Sequence, residues 1–212
     1  MLTAIWGYSL WIKGRLPARV PIHWDLHGQV NGWGTSLVAS ILLPVIATTA
    51  YLLILAYDWG GMDFKVARAM SPSTTRQVRL FVLFLMGGIH VPVLWATLHG
   101  STPSSSWMLL VLSLFLVLLG NLTPRLEPNA WAGIRIPPTL ENREVWKRTH
   151  RLFGKWLVVA GVLGVPASLL PEAVATGLIL PLILLPSLGA IVYAYWLRHR
   201  MEHPSTTPSE AP

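Results

Sequence analysis

Apolar runs alternate with short polar breaks along this chain at the spacing of a bilayer. Five long apolar stretches run from Leu37 to Tyr57, Val78 to Leu98, Ser106 to Leu122, Phe153 to Leu170 and Ala173 to Leu197. Each reaches or approaches the roughly 20 residues that a helix needs to cross a hydrocarbon core. A sixth, Met1 to Ile12, is equally apolar but would extend only about 18 Å as helix at 1.5 Å per residue. It has neither a basic start nor a small-residue cleavage site and is a poor signal peptide, so it reads as a truncated first helix. The pattern predicts an all-α, polytopic transmembrane helix bundle of about six helices. Residues 1–200 form one domain in this reading, followed by a Pro- and Ser-rich cytoplasmic tail, 201–212, expected to be disordered.

Composition sharpens the class. Of 212 residues, 53% are hydrophobic and 12% charged, about half the charged share of a soluble domain, and mean hydropathy is +0.53. The absence of cysteine excludes a disulfide framework and a thiolate metal site. A net charge of +7 would raise nucleic acid for a soluble protein, but here the basic residues are grouped. Lys65, Arg68, Arg76 and Arg79 fall in one break, and Arg125, Arg135, Arg143, Lys147, Arg148, Arg151 and Lys155 in another. Arg198 and Arg200 end the last stretch, while the breaks at Ser101–Ser105 and Pro171–Glu172 have no Lys or Arg. Positive residues stay on the cytoplasmic side, so the expected location is the cytoplasmic membrane, multi-pass, with both termini cytoplasmic. No direct contact with nucleic acid is expected, and the first partner is the lipid bilayer. Trp59, Trp107, Trp156 and Trp196 mark span ends, as an aromatic belt does.

This orientation puts the segment from Arg15 to Gly34 outside, despite Lys13, Arg15 and Arg19. Pro17 and Pro21 favour extended backbone before them. From Val20 to Leu26 the side chains alternate, with Ile22, Trp24 and Leu26 predicted on one strand face and His23, Asp25 and His27 on the other. Asn31-Gly32 is a tight-turn signal. The expectation is a short extended cap over the outer mouth, anchored by Trp24 and Trp33, with His23 as its main polar contact. His23-x-Asp25-x-His27 could in principle hold a metal, but no further ligand stands nearby, so neither metal nor cofactor is expected.

The second polar block runs from Gly120 to Trp156. Pro124, Pro128, Pro137 and Pro138 forbid a continuous helix before Thr139, which is placed to cap a new one. Trp146, His150, Phe153 and Leu157 then share a helical face, with Lys147, Arg148 and Arg151 off it. This predicts an amphipathic helix running from Leu140 into the fifth span, its basic side at anionic headgroups. Asn121, Arg125, Asn129 and Arg135 are expected to pack together beneath the bundle. Within the spans, the deep ionisable group is His90, between Gly87-Gly88 and Pro92. Pro92 leaves the Gly88 carbonyl without its helical donor, and His90 or a water could take it.

These two polar blocks resemble the SdpI family of bacterial membrane proteins. The outer resemblance rests on Leu16, Pro17, Pro21, His23, Gly28, Asn31, Gly32 and Trp33. The inner one rests on Gly120-Asn121, Pro124-Arg125, Asn129, Gly133-Ile134-Arg135, Pro137, Thr139-Leu140, Val145-Trp146, Thr149-His150-Arg151 and Gly154. The resemblance implies a six-helix protein of the cytoplasmic membrane; with no buried carboxylate pair, Ser/His/Asp arrangement or His-Glu-x-x-His helix beside His90, no enzymatic activity is expected. The resemblance further implies immunity to a secreted peptide toxin, signalling by holding a cytoplasmic transcriptional repressor at the membrane, or both. Candidate binding residues are His23, Trp24, Trp33, Asn121, Arg125, Asn129, Arg135, Thr139, His150 and Arg151; no catalytic residue is assigned. Two alternatives stay open. The inner block could simply pin the fold, with Gly133 at a positive φ and Arg125 and Arg135 on helix-end carbonyls near Leu122. An envelope protein with an intramembrane transport or enzymatic role would centre on His90.

Overall fold

The computed structural model describes residues 1–25, 29–58, 70–129 and 132–203. Helix α1 (Leu2–Lys13) leads into a β-hairpin, β1 (Arg19–Trp24) and β2 (Val30–Thr35). Helices α2 (Ser36–Asp58), α3 (Pro72–Leu98) and α4 (Ser105–Leu122) follow. A 3-10 turn (Thr123–Arg125) and a five-residue helix, α5 (Pro137–Glu141), precede the long α6 (Arg143–Ala167) and α7 (Glu172–Glu202). This is the expected α-helical membrane bundle, with six longer helices and one short one among the described residues.

Helices α2, α3, α4 and α7 are long and apolar enough to cross a membrane. The expected fifth span is not among them. Its residues are helical as far as Ala167, but α6 begins ten residues earlier than Phe153, and those first turns carry Arg143, Glu144, Lys147, Arg148 and Arg151. The apolar part of α6 therefore starts only at Phe153 and ends with the helix at Ala167. Helix α1 is the short first helix expected; it packs Ile5 against Ala47 and Leu83, and Ile12 against Val20 and Leu94. Of the predicted tail, Met201 and Glu202 belong to α7, and residues 204–212 lie outside the described residues, as does Trp59.

The tightest seam joins α4 to α6 through small residues seven apart. A Cβ on Gly154 would fall 2.6 Å from the Gly120 carbonyl oxygen, and a Cβ on Gly120 2.6 Å from that of Gly154. One heptad along, a Cβ on Gly161 would fall 2.9 Å from the Val117 amide nitrogen and against the Ser113 carbonyl. Close backbone approach of this kind is how helices associate where lipid removes the hydrophobic drive.

The two ends of the bundle are held differently. At one end lie the hairpin, the 99–104 turn and the start of α7, where Ser105 N–H donates to Glu172 Oε1 (2.8 Å). At the other, Asp58 at the end of α2 pairs with Arg79 and accepts from the buried Thr75 hydroxyl at 2.6 Å. Arg79 also lies 5.6 Å over the Tyr51 ring. The Asp58 and Arg79 side chains are only 16% and 13% exposed. Asp58→Asn is expected to cost about 2 kcal/mol, between an exposed ion pair and a fully buried one. A melt in detergent micelles checks this, with Thr75→Val separating the hydroxyl's share.

Candidate functional site

The basic end contains a densely hydrogen-bonded polar segment, and it is built from the chain upward as a staple. Asn129 Oδ1 accepts from Ala132 N–H (2.8 Å), and its amide donates to the Glu127 carbonyl (2.8 Å), which ties Glu127, Asn129 and Ala132 together ahead of Gly133. Gly133 then turns the backbone at φ +108°, a conformation side chains rarely tolerate. A Cβ there would strike the His150 ring, 3.0 Å from Cδ2 and nearer still to Nε2. The turn delivers Ile134 N–H to His150 Nε2 (3.0 Å), while His150 Nδ1 lies 2.9 Å from the Trp146 carbonyl. One nitrogen must accept and the other donate, so this geometry selects the neutral Nδ1–H tautomer. The His150 ring stacks on Trp146 with centroids 3.9 Å apart, and Trp146 Nε1 donates back to the Leu126 carbonyl (2.7 Å). Thr139 Oγ1 donates to the Ile134 carbonyl (2.7 Å) and accepts from Ile136 N–H (3.2 Å). Trp146, His150, Thr139 and Thr149 are fully buried.

Burial holds the His150 pKa below its ordinary value, against a smaller raising effect of the Trp146 carbonyl. The unfolded chain's imidazole titrates near pH 6.5, so unfolding takes up a proton below that value. The stability tied to His150 is complete above about pH 6.5 and declines as pH falls through its lower folded value. Melts from pH 7.5 to 5 are expected to show that decline, and His150→Gln to make it shallower.

The predicted helix start is corrected here. Thr139 is not a cap residue but sits in the first turn of α5, which begins at Pro137 because proline is tolerated there. The helix from Leu140 also breaks: Asn142 caps α6 through its side-chain oxygen, accepting from Glu144 and Val145 N–H (2.9 and 3.1 Å). Asn142 was the readable signal for this start, an amide side chain just ahead of the helical stripe.

The remaining predicted inner residues do not form one cluster. Asn121 donates to the Val117 carbonyl of its own helix (2.9 Å). Arg125 reaches Gln77 on α3 (2.8 Å) rather than the carbonyls near Leu122. Arg135 and Arg151 are exposed. The inner block thus divides into a buried staple (Asn129, Thr139, His150) and exposed cations (Arg125, Arg135, Arg151).

At the other end the hairpin departs from the expected alternation. Its register is bulged between Pro21 and His23 and again between His23 and Trp24. Val20 and Pro21 are therefore buried, whereas Ile22 is 40% exposed. Asn31-Gly32 does not make the turn; it lies within β2 opposite His23. Gly32 is required there by close approach, since a Cβ would fall 2.7 Å from His23 Cβ. Beyond the paired strands Asp25 meets Gln29: Asp25 N–H donates to the Gln29 carbonyl and Gln29 N–H to Asp25 Oδ1, both at 2.9 Å. His23 is exposed and its ring nitrogen Nδ1 bonds the Asn31 side chain across the strands. His23→Ala is accordingly expected to cost less than about 1 kcal/mol, since both partners regain water; a detergent melt checks it. His27 lies outside the described residues, and among those described no group of three or more metal-ligating side chains converges. Trp33 is half-exposed with the Arg19 guanidinium 5.4 Å from its ring centroid, and Arg15 lies 4.1 Å from that of Trp11.

His90 is buried and bonds Ser9 Oγ at 2.7 Å, tying α3 to α1. The carbonyl of Gly88 that Pro92 leaves free accepts from Trp107 Nε1 on α4 at 3.0 Å, while His90 is bonded to Ser9.

These features define a multi-pass α-helical membrane bundle, with a β-hairpin at one end and a stapled basic segment at the other. Residues 125–194 match the SdpI/YfhL protein family, a stretch that contains the staple from Arg125, α6 and most of α7. Residues 1–48 match a domain of unknown function (DUF1648), which covers α1, the hairpin and the first half of α2. The chain is thus a multi-pass membrane protein whose residues 125–194 are similar to the SdpI/YfhL family. No curated protein and no solved structure gives a significant match.

Proposed function

We propose that this SdpI-like protein acts by binding, protecting its cytoplasmic membrane from a secreted peptide toxin, holding a cytoplasmic transcriptional repressor at the membrane, or both. The observation that carries this reading is the chemical difference between the ends of one bundle. The hairpin end offers Trp33, Arg19 and His23 on an exposed aromatic and polar face, suited to an amphipathic peptide arriving in the outer interface. The opposite end offers exposed Arg125, Arg135 and Arg151 on a segment that the staple holds rigid, and guanidinium groups suit acidic protein surfaces. Trp24 belongs to the first site; Asn121, Asn129, Thr139 and His150 support the second from beneath. The hairpin end faces outward and the basic end the cytoplasm, with both termini inside and residues 1–200 acting as one domain.

The absence of cysteine makes sidedness directly measurable. Gln29→Cys is expected to react with a membrane-impermeant maleimide in intact cells, and Glu141→Cys only after lysis; the reverse pattern would overturn the orientation. Function is tested by producing the chain in bacteria that a secreted hydrophobic peptide toxin kills. Wild type is expected to restore growth, Arg19→Ala/Trp33→Ala to lose it, and Arg135→Glu/Arg151→Glu to keep it while releasing a fluorescently tagged repressor to the cytosol. Sensitive cells and a cytosolic repressor in the presence of folded wild type would sink the proposal.

A further inference from the structure

The first turns of α6 carry more positive charge than nearby carboxylates balance. Lys147, Arg151 and Lys155 stand four residues apart and all three are exposed. Like charges at that spacing on a helix repel. Among the described residues none of the three forms an ion pair, and Glu144 is already taken by Arg148 at 2.6 Å. The counter-charge for this row is left to something outside the chain.

What shares the face narrows the choice. At about 100° per residue, Arg148, Arg151, Lys155, Val159, Val162 and Pro166 fall within an arc of about 80°. The last three are apolar and exposed, Val159 and Val162 at 55% and 56%. Their depth in the bundle is set by α4. Gly154 packs on Gly120 and Pro124, near the end of the apolar span that α4 makes, whereas Gly161 and Gly164 lie on Ser113, near its middle. Arg151 and Lys155 therefore stand at headgroup level, and Val159 and Val162 at the level of acyl chains. Between the two halves Trp156 is exposed, its ring braced against Gly189 of α7, as suits an indole at the interface.

We propose that this face of α6 holds one anionic phospholipid of the leaflet at the basic end, with its phosphate between Arg151 and Lys155 and an acyl chain along Val159 and Val162. Residues four apart on a helix have Cβ atoms about 6 Å apart, so a guanidinium and an ammonium can close on one phosphate. A free phosphate or a nucleotide would use the cations and leave the apolar half of the stripe uncovered. A soluble acidic protein would meet Arg151 but not Val159 and Val162, which lie beyond the end of the α4 span, within the bilayer. An anion joined to a long apolar chain matches both halves. Arg151 also belongs to the surface assigned above to a cytoplasmic partner; Lys155 does not, and the test turns on Lys155.

The test uses the full chain in phosphatidylcholine nanodiscs doped with either phosphatidylglycerol or phosphatidylcholine that carries a diazirine near the ester end of one acyl chain. After photolysis, mass mapping is expected to place the phosphatidylglycerol label on Trp156, Val159 and Val162 in excess over the phosphatidylcholine label. Leu52 and Leu53, exposed on α2 near the same end of the bundle, are expected to take both probes equally. Lys155→Gln is expected to lower the excess about fivefold, the factor for one basic residue at an anionic surface, and Lys155→Arg to keep it. Arg151→Gln/Lys155→Gln is expected to abolish it, and native mass spectrometry to retain one phosphatidylglycerol on wild type and none on that variant. Equal labelling by the two probes, a Lys155→Gln variant that labels like wild type, displacement of the label by excess inorganic phosphate, or a copurifying acidic peptide on this face would each overturn the proposal.

Discussion

Leucine in place of Gly154 is expected to break the bundle. Even the first carbon of the new side chain lands 2.6 Å from the Gly120 carbonyl oxygen and 2.9 Å from Pro124 Cδ. Backbone on one side and a proline ring on the other cannot swing away as a flexible side chain would, so α4 and α6 must part along their length. We expect a loss of about 3 kcal/mol or more, the upper end of overpacking costs, and about 2 kcal/mol for Gly154→Ala. Titration of the detergent-solubilised protein with SDS, read by near-ultraviolet circular dichroism, measures it. Gly177→Ala is the control, because nothing stands within 4 Å of a Cβ there. That variant is expected to be neutral or slightly stabilising. Equal behaviour of the two variants would mean that the α4–α6 seam does not hold the fold.

Alanine at Gly133 is expected to be nearly as damaging for a different reason. The added methyl group meets both a backbone at φ +108° and the edge of the His150 ring. Strain of that backbone costs about 1–3 kcal/mol, and displacing the ring removes the Ile134–His150 bond and leaves a buried donor unpaired, a further 1–3 kcal/mol or so. A total of about 3 kcal/mol is expected in the same titration. His150→Ala on its own strands the Ile134 amide, but it also makes room, so the double variant is expected to be less damaged than the sum of the two. Strict additivity would argue that Gly133 and His150 do not act on each other.

The helices were legible because bilayer length and apolar composition act together over some twenty residues, and no local detail overrides them. What escaped the reading was decided by contacts. The Val78 start expected for the second span moved to Pro72, because Ser71 caps the helix by accepting from Thr74 N–H. Asn31-Gly32 has the chemistry of a turn, but the opposing His23 needs a glycine for closeness, and that won. Gly133 was read correctly as a positive-φ position, since few other demands single out a glycine in such a motif. The expected grouping of Asn121, Arg125, Asn129 and Arg135 failed because spacing along a loop does not say which carbonyl or amide each side chain meets. The Gly88 carbonyl was recognised as free, while its donor, Trp107, lay 19 residues away on another helix and had been assigned only to the aromatic belt.

The staple between Leu126 and His150 has a consequence for biogenesis. Every partner in it, from Trp146 Nε1 on Leu126 to Ile134 on His150, comes from one continuous stretch of chain ahead of α7. Closing so short a loop costs little entropy, so the basic end can set its shape while α7 is still being made. The hairpin is the opposite case. It is synthesised well before α7, yet the groove it lines with Ile22 and Trp24, against Met108 of α4, has no third wall until Ile179 and Leu180 arrive. The molecule is therefore finished from its basic end, and a segment made well before α7 is the last to find its seat.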